Sequence, residues 1–143
     1  MSNTSEWYKV AMSYVQSSED GKQKVVIDEI LFQAVNYSDA ENRGANYMPA
    51  NYGAHVHKVV KMPLNEVFNV NLNDPKYYKV KVHYLTYSEK TKQEKRTPAM
   101  YLVDGNSVDF AAAAVRDKLG KLEDYEVVNV SLTKILEVVP LKD

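Results

Sequence analysis

The clearest signal in this chain is alternation. Over residues 77–84, "YYKVKVHY", aromatic or aliphatic positions alternate with basic ones. That two-residue period belongs to a β-strand with one dry face and one wet face. Residues 7–14, "WYKVAMSY", say nearly the same thing: an aromatic pair, Lys-Val, and a closing Tyr. The period puts Tyr8, Val10, Met12 and Tyr14 on one face, with Trp7, Lys9 and Ser13 on the other. In the second copy Tyr78, Val80, Val82 and Tyr84 oppose Tyr77, Lys79, Lys81 and His83. The apolar faces are expected to pack under helices, leaving the ring-and-lysine faces outward.

Shifting the chain by about 70 positions extends the match beyond these strands. "LFQAVNYSDA" (31–40) falls on "YLVDGNSVDF" (101–110), and "VVKMPLNEVF" (59–68) falls near "VSLTKILEVV" (130–139). The last pair matches Leu64 to Ile135, Glu66 to Glu137 and Val67 to Val138. Each half reads as strand, turn, strand, helix, strand. In the second half "SEKTKQEKR" is a polar hairpin, a strand follows over about 97–103, and Asp104-Gly105-Asn106 is a turn. Ser107 can cap a helix whose stripe is Phe110, Ala111, Ala114, Val115 and Leu119, with Gly120 as its stop. In the first half "EDGKQ" turns the hairpin, and Ser38 with Glu41 forms a capping box. Gly44 then sits inside the helix at a cost of about 1 kcal/mol relative to Ala, and Pro49 blocks its extension.

These patterns predict one α+β domain over residues 1–143, made of two tandem pseudo-symmetric β-β-α-β units. The repeats span 6–68 and 77–140, joined by the linker "NVNLNDPK" (69–76). The sheets are expected to be antiparallel, with the helices packed on one face.

Composition narrows the chemistry. With 143 residues, 45% of them hydrophobic, the chain can bury a core of its own. It contains no cysteine, which removes disulfides and thiolate chemistry and suits a reducing cytoplasm. The polar start "MSNTSEWYKV" has no secretory leader pattern, and no apolar run approaches the roughly 20 residues of a membrane span. A net charge of −1 argues against a protein held to nucleic acid mainly by phosphate neutralisation. The 11 tyrosines suit half-buried sheet faces and binding surfaces alike.

Candidate chemistry is sparse. His55 and His57 share one side of a strand, but without cysteine or a spaced carboxylate they predict no metal site. The acidic pairs Asp28-Glu29 and Glu123-Asp124 are adjacent, so they cannot face each other across a substrate. Nucleophile elbows and phosphate-binding glycine loops are lacking, and no cofactor is expected. What remains is a binding face of Trp7, Lys9, Tyr77, Lys79, Lys81 and His83, where rings would stack on bases and lysines would meet phosphate. The same alternation also serves simply to solvate an exposed sheet face. The aromatic and amide loop 46–52, with Tyr47, Asn51 and Tyr52, is a second candidate.

The blocks "EWYKV", "LFQAVNYSDAE", "MPANYG", "LNEVF", "DPKYYKVKVHYLTYSEK", "YLVDG" and "EDYEVVNV" together resemble a known family. It is the family catalogued as domain of unknown function 4494, from Bacteroidetes and their phages. The resemblance covers about residues 6–140 and departs at Gly44 and the 46–52 stretch, where the family carries a longer apolar helix. It implies bacterial or phage provenance and supplies no activity or catalytic residue. The resulting expectation is a non-enzymatic cytoplasmic binding or adaptor protein, working through protein or homo-oligomer contacts away from membranes. The alternative is a protein that binds or sequesters single-stranded nucleic acid or a nucleotide.

Overall fold

The structure is a computed structural model that describes residues 5–48, 53–121 and 124–141. Pro49, Asn51, Tyr52 and Glu123 lie outside the described residues. The elements run β1 (Glu6–Ser17), β2 (Gln23–Ala34), α1 (Tyr37–Ala45), β3 (His55–Met62) and β4 (Glu66–Phe68), then β5 (Lys76–Ser88), β6 (Gln93–Gly105), α2 (Val108–Leu119), β7 (Tyr125–Leu132) and β8 (Ile135–Val139). The class is α+β, as the patterns predict. The repeated strands β1 and β5 are each the inner member of a long antiparallel hairpin, paired with β2 and β6. On their other side they pair antiparallel with β3 and β7.

The fourth strand of each sheet comes from the other half of the sequence. Sheet 1 has the order β3-β1-β2-β8 and sheet 2 the order β7-β5-β6-β4. The chain therefore forms two compact units, Met1–Pro63 with Lys134–Asp143 and Leu64–Thr133. Sequence reading treated 59–68 and 130–139 as single strand-bearing blocks at the end of each half. The structure breaks each block in two and sends its second strand to the opposite sheet. Pro63 accounts for the first break, because it has no N–H to continue the β3 ladder. The new strands pair parallel, Glu66–Phe68 with Tyr101–Val103 and Ile135–Val139 with the Glu29–Phe32 stretch, so each sheet is mixed rather than purely antiparallel.

Side-chain acceptors fasten these visiting strands. Asp104, only 1% exposed, accepts from the backbone N–H of Val70 at 2.5 Å and of Leu72 at 3.0 Å, just beyond β4. Gln33 holds the corresponding place in β2, and its Oε1 accepts from the Leu141 N–H at 3.0 Å, just beyond β8. A charged acceptor on two N–H groups contributes more than a neutral one, on the order of 1.5–3 kcal/mol per bond. Asn65 clips the start of β4: its N–H donates to the Met100 carbonyl at 2.7 Å and its Oδ1 accepts from the Met100 N–H at 2.9 Å. Within the stretch 69–76, residues 70 and 72 are thus anchored just past β4.

The core lies between each sheet and its helix. Tyr8, Val10, Met12, Ile30 and Phe32 are buried with Ala40 in unit 1, and Tyr78, Val80, Val82, Tyr101 and Val103 with Ala111 and Val115 in unit 2. The alternation identified these faces correctly. Helix α2 is capped by Ser107, which accepts from the Phe110 N–H at 3.0 Å, and it stops at Gly120 with φ +72°. Helix α1 starts two residues earlier than the Ser38 box implies. Asn36 is its cap, accepting from the Asp39 N–H at 2.8 Å, while the Asp39 carboxylate accepts from the Val35 N–H at 3.0 Å. That Val35 bond, with the Arg43 guanidinium behind it, holds the Asp39 carboxyl below its ordinary range.

Gly44 is not a flaw in α1. A Cβ there would lie 2.7 Å from Cγ1 of Val10, a residue with no exposure, so glycine sets how closely the helix approaches the sheet. Propensity alone predicts that Gly44→Ala stabilises the protein by about 1 kcal/mol. Overpacking typically costs about 1–3 kcal/mol and should outweigh that gain. The expected outcome is a lower denaturation midpoint for Gly44→Ala than for the parent. A raised midpoint would show that the Val10 contact relaxes freely.

Candidate functional site

The outer face of sheet 2, away from α2, gathers the lysines that the alternation placed there. Lys79 and Lys81 stand two apart on the central strand β5 and are both half-buried. Ser131 of β7 lies across from Lys79 and Asn129 across from Lys81, with Met100 of β6 on the other side of Lys81. These five side chains line a cavity of about 360 Å³. Two ammonium groups, an amide and a hydroxyl offer several donors, with the Met100 thioether as an apolar neighbour. Among the described residues neither lysine has an acidic partner within ion-pair distance.

Sheet 1 has the same framework with its equivalent lysine paired. Lys9 occupies in β1 the position of Lys79 in β5, and it pairs with Glu29 of β2 at 3.7 Å. The position of Glu29 in β2 corresponds to Met100 in β6, and that of Lys81 in β5 to Ala11 in β1. So Lys9 has a carboxylate partner where Lys79 and Lys81 have none within ion-pair distance among the described residues. Lys58 across from Ala11 adds a cation to sheet 1, and Glu126 across from His83 an anion to sheet 2. Two like charges held near each other on a half-buried face repel, and an anion placed between them relieves that repulsion.

The remaining residues of the expected face separate. Tyr77 shares the side of Lys79, as alternation requires, yet it is 9% exposed. Its cross-strand partner Asp104 draws in the 70–72 backbone, and Thr133 donates through both its N–H and its hydroxyl to the Tyr77 carbonyl. Alternation specifies the side of a sheet and not whether the chain later folds over it. Leu102 and Leu31, on these same outer faces, are also fully buried. His83 is half-buried between Pro98 and Glu126 in register, with its Nδ1 buried and lacking a hydrogen-bond partner among the described residues. Trp7 belongs to unit 1, half-buried between Gln33 and Met62 in register. The Trp7–Lys9 pair and the Lys79–Lys81 pair therefore sit on different sheets.

Tyr47 serves unit 1 internally: its ring meets Phe32 at 5.4 Å and its hydroxyl donates to the Glu137 carboxylate. Asp28 and Glu29 are each engaged, Asp28 accepting from the Tyr14 hydroxyl at 2.9 Å and Glu29 pairing with Lys9. His55 and His57 are exposed on β3, where a register shift leaves His57 as the extra residue of a bulge. Among the described residues no group of three or more His, Asp or Glu side chains could hold a metal ion. No helix among them is long and apolar enough to cross a membrane. Sequence reading missed Asn129 and Ser131, which register alone brings beside the lysines.

The model of the family described as a domain of unknown function (DUF4494) matches residues 6–141. The chain belongs to this family. A search of curated proteins finds no match.

Installing the missing acid tests whether the lysines are electrostatically unsatisfied. Met100→Glu should raise the denaturation midpoint at low salt by an amount equivalent to at most ~1 kcal/mol, and the gain should shrink as salt rises. An unchanged or lowered midpoint at low salt would mean that Lys79 and Lys81 do not repel across this face.

Proposed function

We propose that this member of the DUF4494 family is a non-catalytic binding protein whose ligand is a small phosphate-bearing molecule of nucleotide size. The observation that carries this reading is the pair Lys79 and Lys81, without an ion-pair partner among the described residues and half-buried over a cavity of about 360 Å³. Lysine binds phosphate as a point charge, and Asn129 and Ser131 add neutral donors at its edge. The volume sits near the lower end of small-ligand sites, roughly 300–1,000 Å³. A stacked single strand fits less well, because Tyr77 is buried and Trp7 lies on the other sheet. We place its action in the bacterial cytoplasm, with the chain encoded by Bacteroidetes or their phages, in keeping with a cysteine-free chain and the family blocks.

A second reading, contact with a protein partner or another copy, is favoured by the hairpin arm of unit 1. Val15, Val25 and Ile27 are 54%, 65% and 49% exposed and share one face of the β1–β2 ribbon. They lie past the last residues of β1 and β2 that pair with β3 and β8. Exposed apolar clusters of this kind mark contact surfaces.

Nuclease-treated protein titrated with inorganic phosphate, AMP and ATP, followed by amide NMR, tests the first reading. The expected shifts centre on Lys79, Lys81, Asn129 and Ser131 and weaken as salt rises. Lys81→Ala should lose about tenfold in affinity, as deleting one charge-assisted contact predicts. Absence of localised shifts with all three anions, beside a dimeric mass that Val25→Lys abolishes, would reject the first reading for the second.

A further inference from the structure

The helix-bearing face of sheet 2 has an opening that the same face of sheet 1 fills with its own side chain. In unit 1 the Tyr47 ring meets Phe32 edge-on, centroids 5.4 Å apart at 87°, and its hydroxyl donates to Glu137. Unit 2 keeps the carboxylate, since Glu66 pairs with Tyr101 in β6 as Glu137 pairs with Ile30 in β2. It lacks the ring. Lys118 stands as far beyond the cap Ser107 as Tyr47 stands beyond the cap Asn36. Helix α1 ends at Ala45, so Tyr47 leaves the helix and turns in, whereas α2 runs on through Lys118 to Leu119.

What remains in unit 2 is a cavity of about 500 Å³ lined by Glu66, Phe68, Tyr84, Tyr101, Lys118 and Leu119 among others. Tyr101 and Phe68 are stacked, 5.0 Å apart and 13° from parallel, and the Tyr84 and Tyr101 hydroxyls share a 2.6 Å hydrogen bond. Glu66 and Lys118 make no ion pair among the described residues, so an acceptor and a cation both face the opening unspent. Unit 1 shows one chemistry that satisfies such a place, a flat ring against Phe32 and a hydroxyl donor on the carboxylate; unit 2 offers Tyr101 and Phe68 in the positions of Ile30 and Val139.

We propose that this cavity binds a small aromatic molecule bearing a hydroxyl donor on its ring and an anionic group, of the hydroxyaryl carboxylate class. The ring lies against Tyr101 and Phe68, where aromatic pairs prefer offset or edge contacts. The hydroxyl donates to Glu66, and the carboxylate meets Lys118. The site lies on the face of sheet 2 opposite the lysine cavity and stands independently of the phosphate reading.

The probe is 4-hydroxyphenylacetate, with phenylacetate as the analogue lacking the donor, titrated into the whole chain and followed by amide NMR. Shifts are expected at Glu66, Phe68, Tyr101 and Lys118, with no response at Lys79 or Lys81, and phenylacetate should bind about tenfold more weakly. Losing one hydrogen bond to a charged acceptor accounts for a difference of that size. Glu66→Gln should narrow the gap between the two compounds, and Lys118→Met should weaken both. Both positions are exposed, so neither variant threatens the fold. No localised shift with either compound, or equal binding of the two that Glu66→Gln leaves unchanged, overturns the proposal.

Discussion

A parallel strand donated from the opposite half of the sequence completes each sheet, and the rest of the structure depends on that pairing. The outer edge of a hairpin presents a row of N–H and C=O groups that must find partners. In sheet 1 the edge of β2 finds them in Ile135–Val139, and in sheet 2 the edge of β6 finds them in Glu66–Phe68. Neither half of the sequence contains the whole of its own sheet. The chain therefore crosses twice, after Pro63 and again after Thr133; sheet 2 is complete within Leu64–Thr133, and sheet 1 closes only after the second crossing. Gln33 and Asp104 then hold the strands in register by accepting N–H groups just past their ends. Non-local pairing of this sort places much of the stabilisation late in folding, since loop closure precedes the contacts that offset it.

The two sheets differ in how the equivalent lysine is partnered and in filling. Lys9 pairs with Glu29 on the outer face of sheet 1, while Met100 leaves Lys79 and Lys81 without that partner in sheet 2. Tyr47 closes the helix side of unit 1, while the helix side of unit 2 stays open beside Glu66. Both differences point the same way. Tyr47 and Lys9 each find a carboxylate within unit 1, and unit 2 presents the lysine cavity on one face and the one beside Glu66 on the other.

The sequence made the hairpins, the buried faces and the second helix legible, because each rests on local periodicity and local capping. Val10, Met12, Val80 and Val82 are buried where the two-residue period puts them. The lysines face outward for the same reason. Tyr77 shows the limit: its side of the strand was readable, but the cover over that end depends on Asp104 capturing residues 70 and 72, more than 30 positions away. The exchange of β4 and β8 was likewise hidden, since a repeat identifies equivalent strands and not their partners. Asn36 and Ser38 are both good caps by composition, and the choice fell to Asn36 because Asp39 can reach back to Val35. The aromatic cavity had no local signal at all. It appears only when Tyr47 and Lys118 are compared in their folded settings.

The most direct test of the exchange is a nuclear Overhauser spectrum of the labelled protein, read across the parallel edges. Backbone proton contacts should link Val138 with Leu31 and Val67 with Leu102, following the register of the two donated strands. Contacts linking Val138 with Leu102 and Val67 with Leu31 would mean that each half keeps its own last strand, and would contradict the account.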